Sequence, residues 1–163
     1  MTRGGVMLVA GVAALIVVTA LVTWYTAPTG ARPPAVELLR PDDPQVLALG
    51  QQVYGAHCAA CHGARLEGQP DWQTRGADGL LPAPPHDASG HTWHHDDALL
   101  FAITKHGVAK AAGLPDYRSA MPVYAGLLSD AEIVAALSWI KAQWPAEIRA
   151  KHDEFNRLAA AVR

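Results

Sequence analysis

Cys58-Ala59-Ala60-Cys61-His62 contains both cysteines of the chain, and no other feature restricts the possible folds as severely. Two cysteines three residues apart on a helical turn reach the two vinyl groups of a haem, and the next residue then places its imidazole beneath the iron. A chain built for this purpose has to wrap helix and loop round a flat cofactor, and the covalent bonds keep that cofactor from dissociating after export. Other uses of Cys-x-x-Cys compete with this one. A thiol-disulfide pair belongs in a βαβ neighbourhood, and the flanking sequence has none. A structural zinc requires four ligands, and the histidines have no paired spacing that would supply two of them. A plain disulfide leaves His62 unexplained.

The 163 residues suffice for one ordinary domain with attachments. Half of them are hydrophobic, and their distribution is uneven. No charged residue occurs from Gly4 to Ala31, and Val6 to Tyr25 is almost unbroken Val, Ala, Leu and Ile. About 20 apolar residues in a helix cover the roughly 30 Å hydrocarbon core of a bilayer. Residues 1–25 are therefore expected to be an N-terminal membrane anchor of the uncleaved signal-anchor kind. The stretch is longer than the about 7 to 15 apolar residues of a cleaved signal peptide, and Trp24-Tyr25 closes it like an interfacial aromatic belt. Cleavage after Ala31 is the alternative. No cysteine lies near this segment to carry a lipid. Arg3, the only early charge, puts the N-terminus in the cytoplasm by the positive-inside rule. Either reading exports the remainder to the periplasmic side of a bacterial cytoplasmic membrane.

Residues 26–43 form a Pro-rich, semi-rigid linker, able to reach up to ~60 Å when extended. Three helices are expected in the domain that follows, residues 44–145. The first runs from Pro44 to about Ala59, with Asp43 as N-cap and Pro44 at the first helical position. The second starts near His95 or Asp96 and runs to about Lys105, with Gly107 as its stop. The third starts at the capping box Ser129-Asp130-Ala131-Glu132, carries the stripe Ile133, Leu137, Ile140 and Trp144, and stops at Pro145. Between the first two lies a Gly- and Pro-rich stretch, residues 63–91, without periodicity, as expected of a functional loop round a cofactor. Residues 146–163 form a helical extension with Ile148, Phe155, Leu158 and Val162 near one face. The formal net charge is −2, without a basic run, so nucleic-acid binding has no support.

Of three methionines, Met1 and Met7 belong to the apolar N-terminal segment, which leaves Met121 as the thioether of the exported domain. It lies in Ser119-Ala120-Met121-Pro122, a loop without helical pattern. A soft thioether opposite His62 stabilises Fe(II) over Fe(III), and it fills the position that oxygen or peroxide would otherwise take. The competing role for Met121 is a filler of core gaps.

Residues 44–144 resemble a class I cytochrome c domain. Cys-Ala-Ala-Cys-His matches the haem signature, and Met-Pro-Val-Tyr-Ala-Gly-Leu-Leu-Ser-Asp-Ala-Glu-Ile is similar to the family's run from the distal methionine into its last helix. The resemblance implies an all-α fold wrapped round one covalently attached haem c, with one haem edge near solvent and the iron held by His62 and Met121. It also implies that a glycine on the first helix crosses an aromatic on the last one, which assigns those places to Gly50, Tyr54 and Trp139. A proline carbonyl is expected to accept a hydrogen bond from the proximal histidine. Pro84 is the best match, with Pro82 and Pro85 as rivals.

The histidines at 86, 91, 94 and 95, followed by Asp96 and Asp97, depart from a minimal family member. They are expected to face solvent, with the two aspartates complementing a helix N-terminus; a metal or proton-coupled role is the competing reading. His106 is a rival for the iron, and Trp93, Tyr117 and Arg118 are candidates for contacting haem propionates. The expected function is single-electron transfer by a membrane-anchored, non-catalytic monohaem protein. Its partners would be redox proteins or respiratory or photosynthetic complexes, with no small-molecule substrate. The alternatives are an electron-entry subunit of a larger oxidase or dehydrogenase, and, if Met121 leaves the iron open, a haem enzyme or gas sensor.

Overall fold

The structure, a computed structural model, describes residues 38–162. The expected membrane anchor and all but the end of the expected linker lie outside these residues. Among the described residues the chain forms helices and loops and no strand, and no helix is long and apolar enough to cross a membrane.

Helix α1, Pro44–His57, starts where Asp43 caps it. The Asp43 carboxylate accepts from the backbone amides of Gln45 and Val46 at 3.0 and 3.3 Å, and Pro44 has no amide to leave unsatisfied. The helix does not run on to Ala59. It ends at His57, and a separate turn, α2 (Ala59–His62), begins after Cys58. The Cys58 carbonyl accepts from the amides of both Cys61 and His62, so the cysteine motif closes on itself as an independent turn.

After the loop 63–91, a single 3-10 turn at Thr92–His94 leads into α3, Asp97–His106, capped by Asp96 and ended by Gly107 at φ 84°. A short helix α4, Val108–Ala111, follows at once, and no periodicity announces it. Helix α5, Asp130–Ala142, carries the expected capping box: Ser129 Oγ accepts from the Glu132 amide, and Glu132 accepts from the Ser129 amide at 2.8 Å. Helix α6 spans Ala146–Val162.

The core forms where α1 crosses α5. A Cβ on Gly50 would stand 2.1 Å from the Ala135 carbonyl oxygen and 2.8 Å from Trp139 Cβ, so only glycine allows so close an approach. The Tyr54 and Trp139 rings meet beside it, centroids 4.8 Å apart. Ile133, Leu137, Ile140 and Trp144 are buried against Val53, Tyr54, Leu66, Leu100, Tyr124 and Leu128. Each such side chain contributes roughly 1.5–3 kcal/mol by leaving water.

Helix α6 docks differently from the expected stripe. Ile148 is buried, but Phe155, Leu158 and Val162 are exposed, and His152 is buried in their place. The reason is a polar seam. Asp97, expected to face solvent, is buried: it accepts from the Leu39 amide at 3.0 Å and from Asn156 Nδ2 at 2.9 Å, while its own amide donates to Asn156 Oδ1. His152 Nε2 donates to the His95 carbonyl at 2.9 Å. The buried Lys141 ammonium pairs with Asp153 at 2.6 Å. The segment ahead of α1 joins the same seam through the Arg40 amide on Ser138 Oγ and Arg149 on Asp42.

Candidate functional site

Turn α2 presents Cys58, Cys61 and His62 together. Cys58 is half-buried, Cys61 is exposed, and neither is in a disulfide. Burial, reinforced by neighbouring Cys61, pushes the Cys58 thiol up to about 11. A dithiol oxidoreductase needs the opposite, a thiol lowered toward neutrality. Cys58 thus lacks the lowered thiol of such a pair.

His62 is buried, and its Nδ1 lies 2.8 Å from the Pro84 carbonyl oxygen. A carbonyl only accepts, so Nδ1 carries the proton and Nε2 keeps its lone pair. Burial lowers the His62 pKa, with the Pro84 contact opposing it, and the ring is held neutral as a metal ligand requires. The contact falls on Pro84 and not on Pro82 or Pro85. Two unpaired thiols on the same turn as a neutral imidazole with a free Nε2 form the donor set that a covalently attached haem needs.

The loop that supplies Pro84 is fastened near both of its ends. Tyr54 Oη donates to the Gly63 carbonyl at 2.7 Å, and the Gly68 amide to the His62 carbonyl at 2.8 Å. Leu66, buried and at φ 70°, holds a left-handed conformation that costs a β-carbon residue on the order of 1 kcal/mol. In that conformation its carbonyl accepts from the amides of both His86 and Asp87. Trp144 Nε1 donates to the His86 carbonyl at 2.7 Å.

The histidine cluster divides. His91 and His94 are exposed, and they stack on Trp72 and Trp93 respectively. His86 corrects the expectation of a solvent-facing residue. Backbone bonds to Leu66 and Trp144 turn it inward, where its ring stacks on His62 with centroids 3.9 Å apart. Asp96 caps α3 as expected, whereas Asp97 faces the seam. Among the described residues, no group of three or more His, Cys, Asp or Glu is arranged to hold a metal ion.

Met121 is half-buried and packs on the hydrophobic core. Its amide donates to Ser119 Oγ at 3.1 Å. The segment around it, 112–123, is mostly exposed, and its anchor is Tyr124. The Tyr124 amide donates to the Thr104 carbonyl, and its hydroxyl donates to the His57 carbonyl at 2.7 Å, next to Cys58. Cys58, Cys61, His62 and Pro84 are thus joined directly, while Met121 is tied to them through Tyr124. His106 is the half-buried last residue of α3. The Tyr117 ring lies under the Arg75 guanidinium, and Trp93 Nε1 is a buried donor without a protein acceptor. The sequence reading missed His86 as a neighbour of the proximal ring; no local pattern signals it.

The family model Cytochrome c matches residues 47–144. No curated protein and no solved structure matches the chain.

Proposed function

Since the chain belongs to the cytochrome c family, electron-transfer proteins with covalently attached haem c, we propose that it is a monohaem carrier of single electrons in which His62 and Met121 hold the iron. The observation that carries this reading is the Pro84 bond to His62 Nδ1, which leaves Nε2 unprotonated in a buried ring on the same turn as both thiols. Bound haem supplies a one-electron Fe(III)/Fe(II) couple. Cys58 and Cys61 tether it as thioethers. The Pro84 bond would hold His62 in one tautomer and orientation as the charge changes, which would keep the reorganisation of the protein small. Met121 favours the reduced state and keeps small oxidants off the sixth position.

The apolar sequence 4–31 and the Pro-rich linker support a place on the periplasmic face of a bacterial membrane, where a tether raises the local concentration of redox partners. Respiratory or photosynthetic complexes are the partners that fit this reading. Phe155, Leu158 and Val162, exposed on α6, favour a second reading, an electron-entry subunit bound to a larger complex. Stable co-purification in mild detergent distinguishes the two.

The test is an optical spectrum of the holoprotein with and without carbon monoxide. A low-spin spectrum with the weak red band of a Met–Fe(III) bond and no carbon monoxide shift is expected. Met121→Ala should open the iron to carbon monoxide while the haem stays attached. A high-spin wild type that binds carbon monoxide contradicts the proposal and favours an enzyme or sensor.

A further inference from the structure

We propose that His86 is a positioning residue for the haem: its ring, stacked on His62, fixes the plane of the proximal imidazole and lowers the reduction potential of the iron. The inference rests on His62 being the proximal ligand and adds the residue that governs it.

The two rings lie 3.9 Å apart between centroids and 23° from parallel. A bond at Nδ1 alone leaves an imidazole free to rock about the line through Nδ1. A second ring against its face removes that freedom, provided the second ring is itself fixed. His86 is fixed at three points. Its amide donates to the Leu66 carbonyl at 2.8 Å, its carbonyl accepts from Trp144 Nε1 at 2.7 Å, and its Nδ1 lies 2.8 Å from Thr92 Oγ1. The edge of Tyr54 closes one side, centroids 6.4 Å apart.

Thr92 Oγ1 is the pivot of this arrangement: it lies 2.8 Å from His86 Nδ1 and 3.4 Å from the Pro85 carbonyl oxygen, so the imidazole and the hydroxyl share one hydrogen bond. Both imidazoles are therefore held next to consecutive prolines: His62 by the Pro84 carbonyl, and His86 by Thr92, whose hydroxyl also faces the Pro85 carbonyl. The same short stretch of backbone sets the two ring planes together.

An electronic consequence follows from the stack. Were iron bound at Nε2, its oxidation would leave the His62 ring more positive. The π-face of a neutral ring stabilises a positive neighbour, as in cation–π contacts. His86 thus favours Fe(III) and opposes the effect of a thioether at the other axial position. An aliphatic side chain fills space without this effect, and a phenyl ring retains it.

The experiment compares the wild-type holoprotein with His86→Leu, His86→Phe and Thr92→Val. It reads the midpoint potential and, in the ferric state, the EPR g-values and the NMR shifts of the haem methyls, which report the orientation of the axial imidazole plane. His86→Leu is expected to raise the potential and change the methyl-shift pattern. His86→Phe should stay close to wild type in both, and Thr92→Val should move in the direction of His86→Leu by less. A His86→Leu protein with wild-type potential and shift pattern, or a His86→Phe protein that departs as far as His86→Leu, overturns the proposal. If His86→Leu fails to attach haem, Thr92→Val decides alone, and wild-type values there overturn it. A wild-type spectrum without axially ligated, low-spin iron removes the ligation reading and this proposal with it, whereas a low-spin wild type with an unmoved His86→Leu removes this proposal only.

Discussion

Residues 62–86 and residues 112–125, the two sides of the site under the proposed ligation, are held in different ways. The first stretch is fastened at His62, Gly63, Leu66, Gly68 and His86, with Tyr54 and Trp144 reaching out from the core to bind its carbonyls. The second is mostly exposed as far as Val123, and its hold on the core is concentrated at Tyr124 and Ala125. The difference is one of purpose. The first stretch is pinned at its two ends, His62–Gly68 and Pro84–His86, while residues 69–78 between them are mostly exposed, so a proximal His62 would be held still by the ends of its loop. Under the proposed ligation a distal Met121 would have only to return to the iron, for which one firm anchor a few residues away would be enough. Disturbance from heat, denaturant or partner contact is therefore expected to reach Met121 before His62.

The largest effect that sharpens this contrast is expected from Trp144→Ala, which removes a buried indole and the donor to the His86 carbonyl. It should cost about 3–5 kcal/mol in a denaturant titration and lower the fraction of chains that carry haem. On the other side, Tyr124→Phe loses only the hydroxyl bond to His57 and should cost about 1 kcal/mol. Its melting curve should lose the red Met–Fe(III) band at a temperature where the haem is still bound through His62. Equal costs for the two variants would sink the contrast.

A pH titration comes next in size. Burial, then Lys141, lowers the His152 pKa in the fold, opposed by Asp97, the His95 carbonyl and Asp153. The unfolded chain therefore binds a proton that the folded chain refuses. The stability this contributes is complete above the ordinary histidine value of about 6.5, and it is lost as pH falls from there toward the folded value. His152→Gln, which can still donate to the His95 carbonyl, should flatten the fall in unfolding midpoint between pH 7 and 5. Flattening by at most one proton is expected, because His86, His91 and His95 are lowered by burial as well. The smallest effect belongs to Leu127→Ala, at a side chain 69% exposed on the distal side, which should stay within about 0.5 kcal/mol of wild type.

What the sequence discloses of this molecule is what local chemistry determines. Asp43 before Pro44, the Ser129–Glu132 box and Gly107 mark helix ends because each acts within four residues of itself. The cysteine motif is legible for the same reason, and resemblance narrows the carbonyl partner of His62 to three neighbouring prolines. The inward turn of His86 and of Asp97, and the burial of His152 in place of Phe155, are not legible. Polar side chains at those positions look outward until partners 57 to 59 residues away are known, such as Trp144 for His86, Asn156 for Asp97 and the His95 carbonyl for His152. The break at Cys58 is hidden too, since Ala59 and Ala60 are good helix formers and nothing in them signals that the motif folds as its own turn.

The seam ahead of α1 also decides where mechanical load would travel. A pull arriving along the chain from upstream meets the Leu39 amide on Asp97, the Arg40 amide on Ser138 and Asp42 on Arg149. These contacts deliver the force to α3, α5 and α6 before any of it reaches α1. The haem-bearing turn lies beyond that junction. Such a load would thus be borne by the side of the fold away from the cysteine turn, and the ring planes at 62 and 86 would stay out of the line of tension.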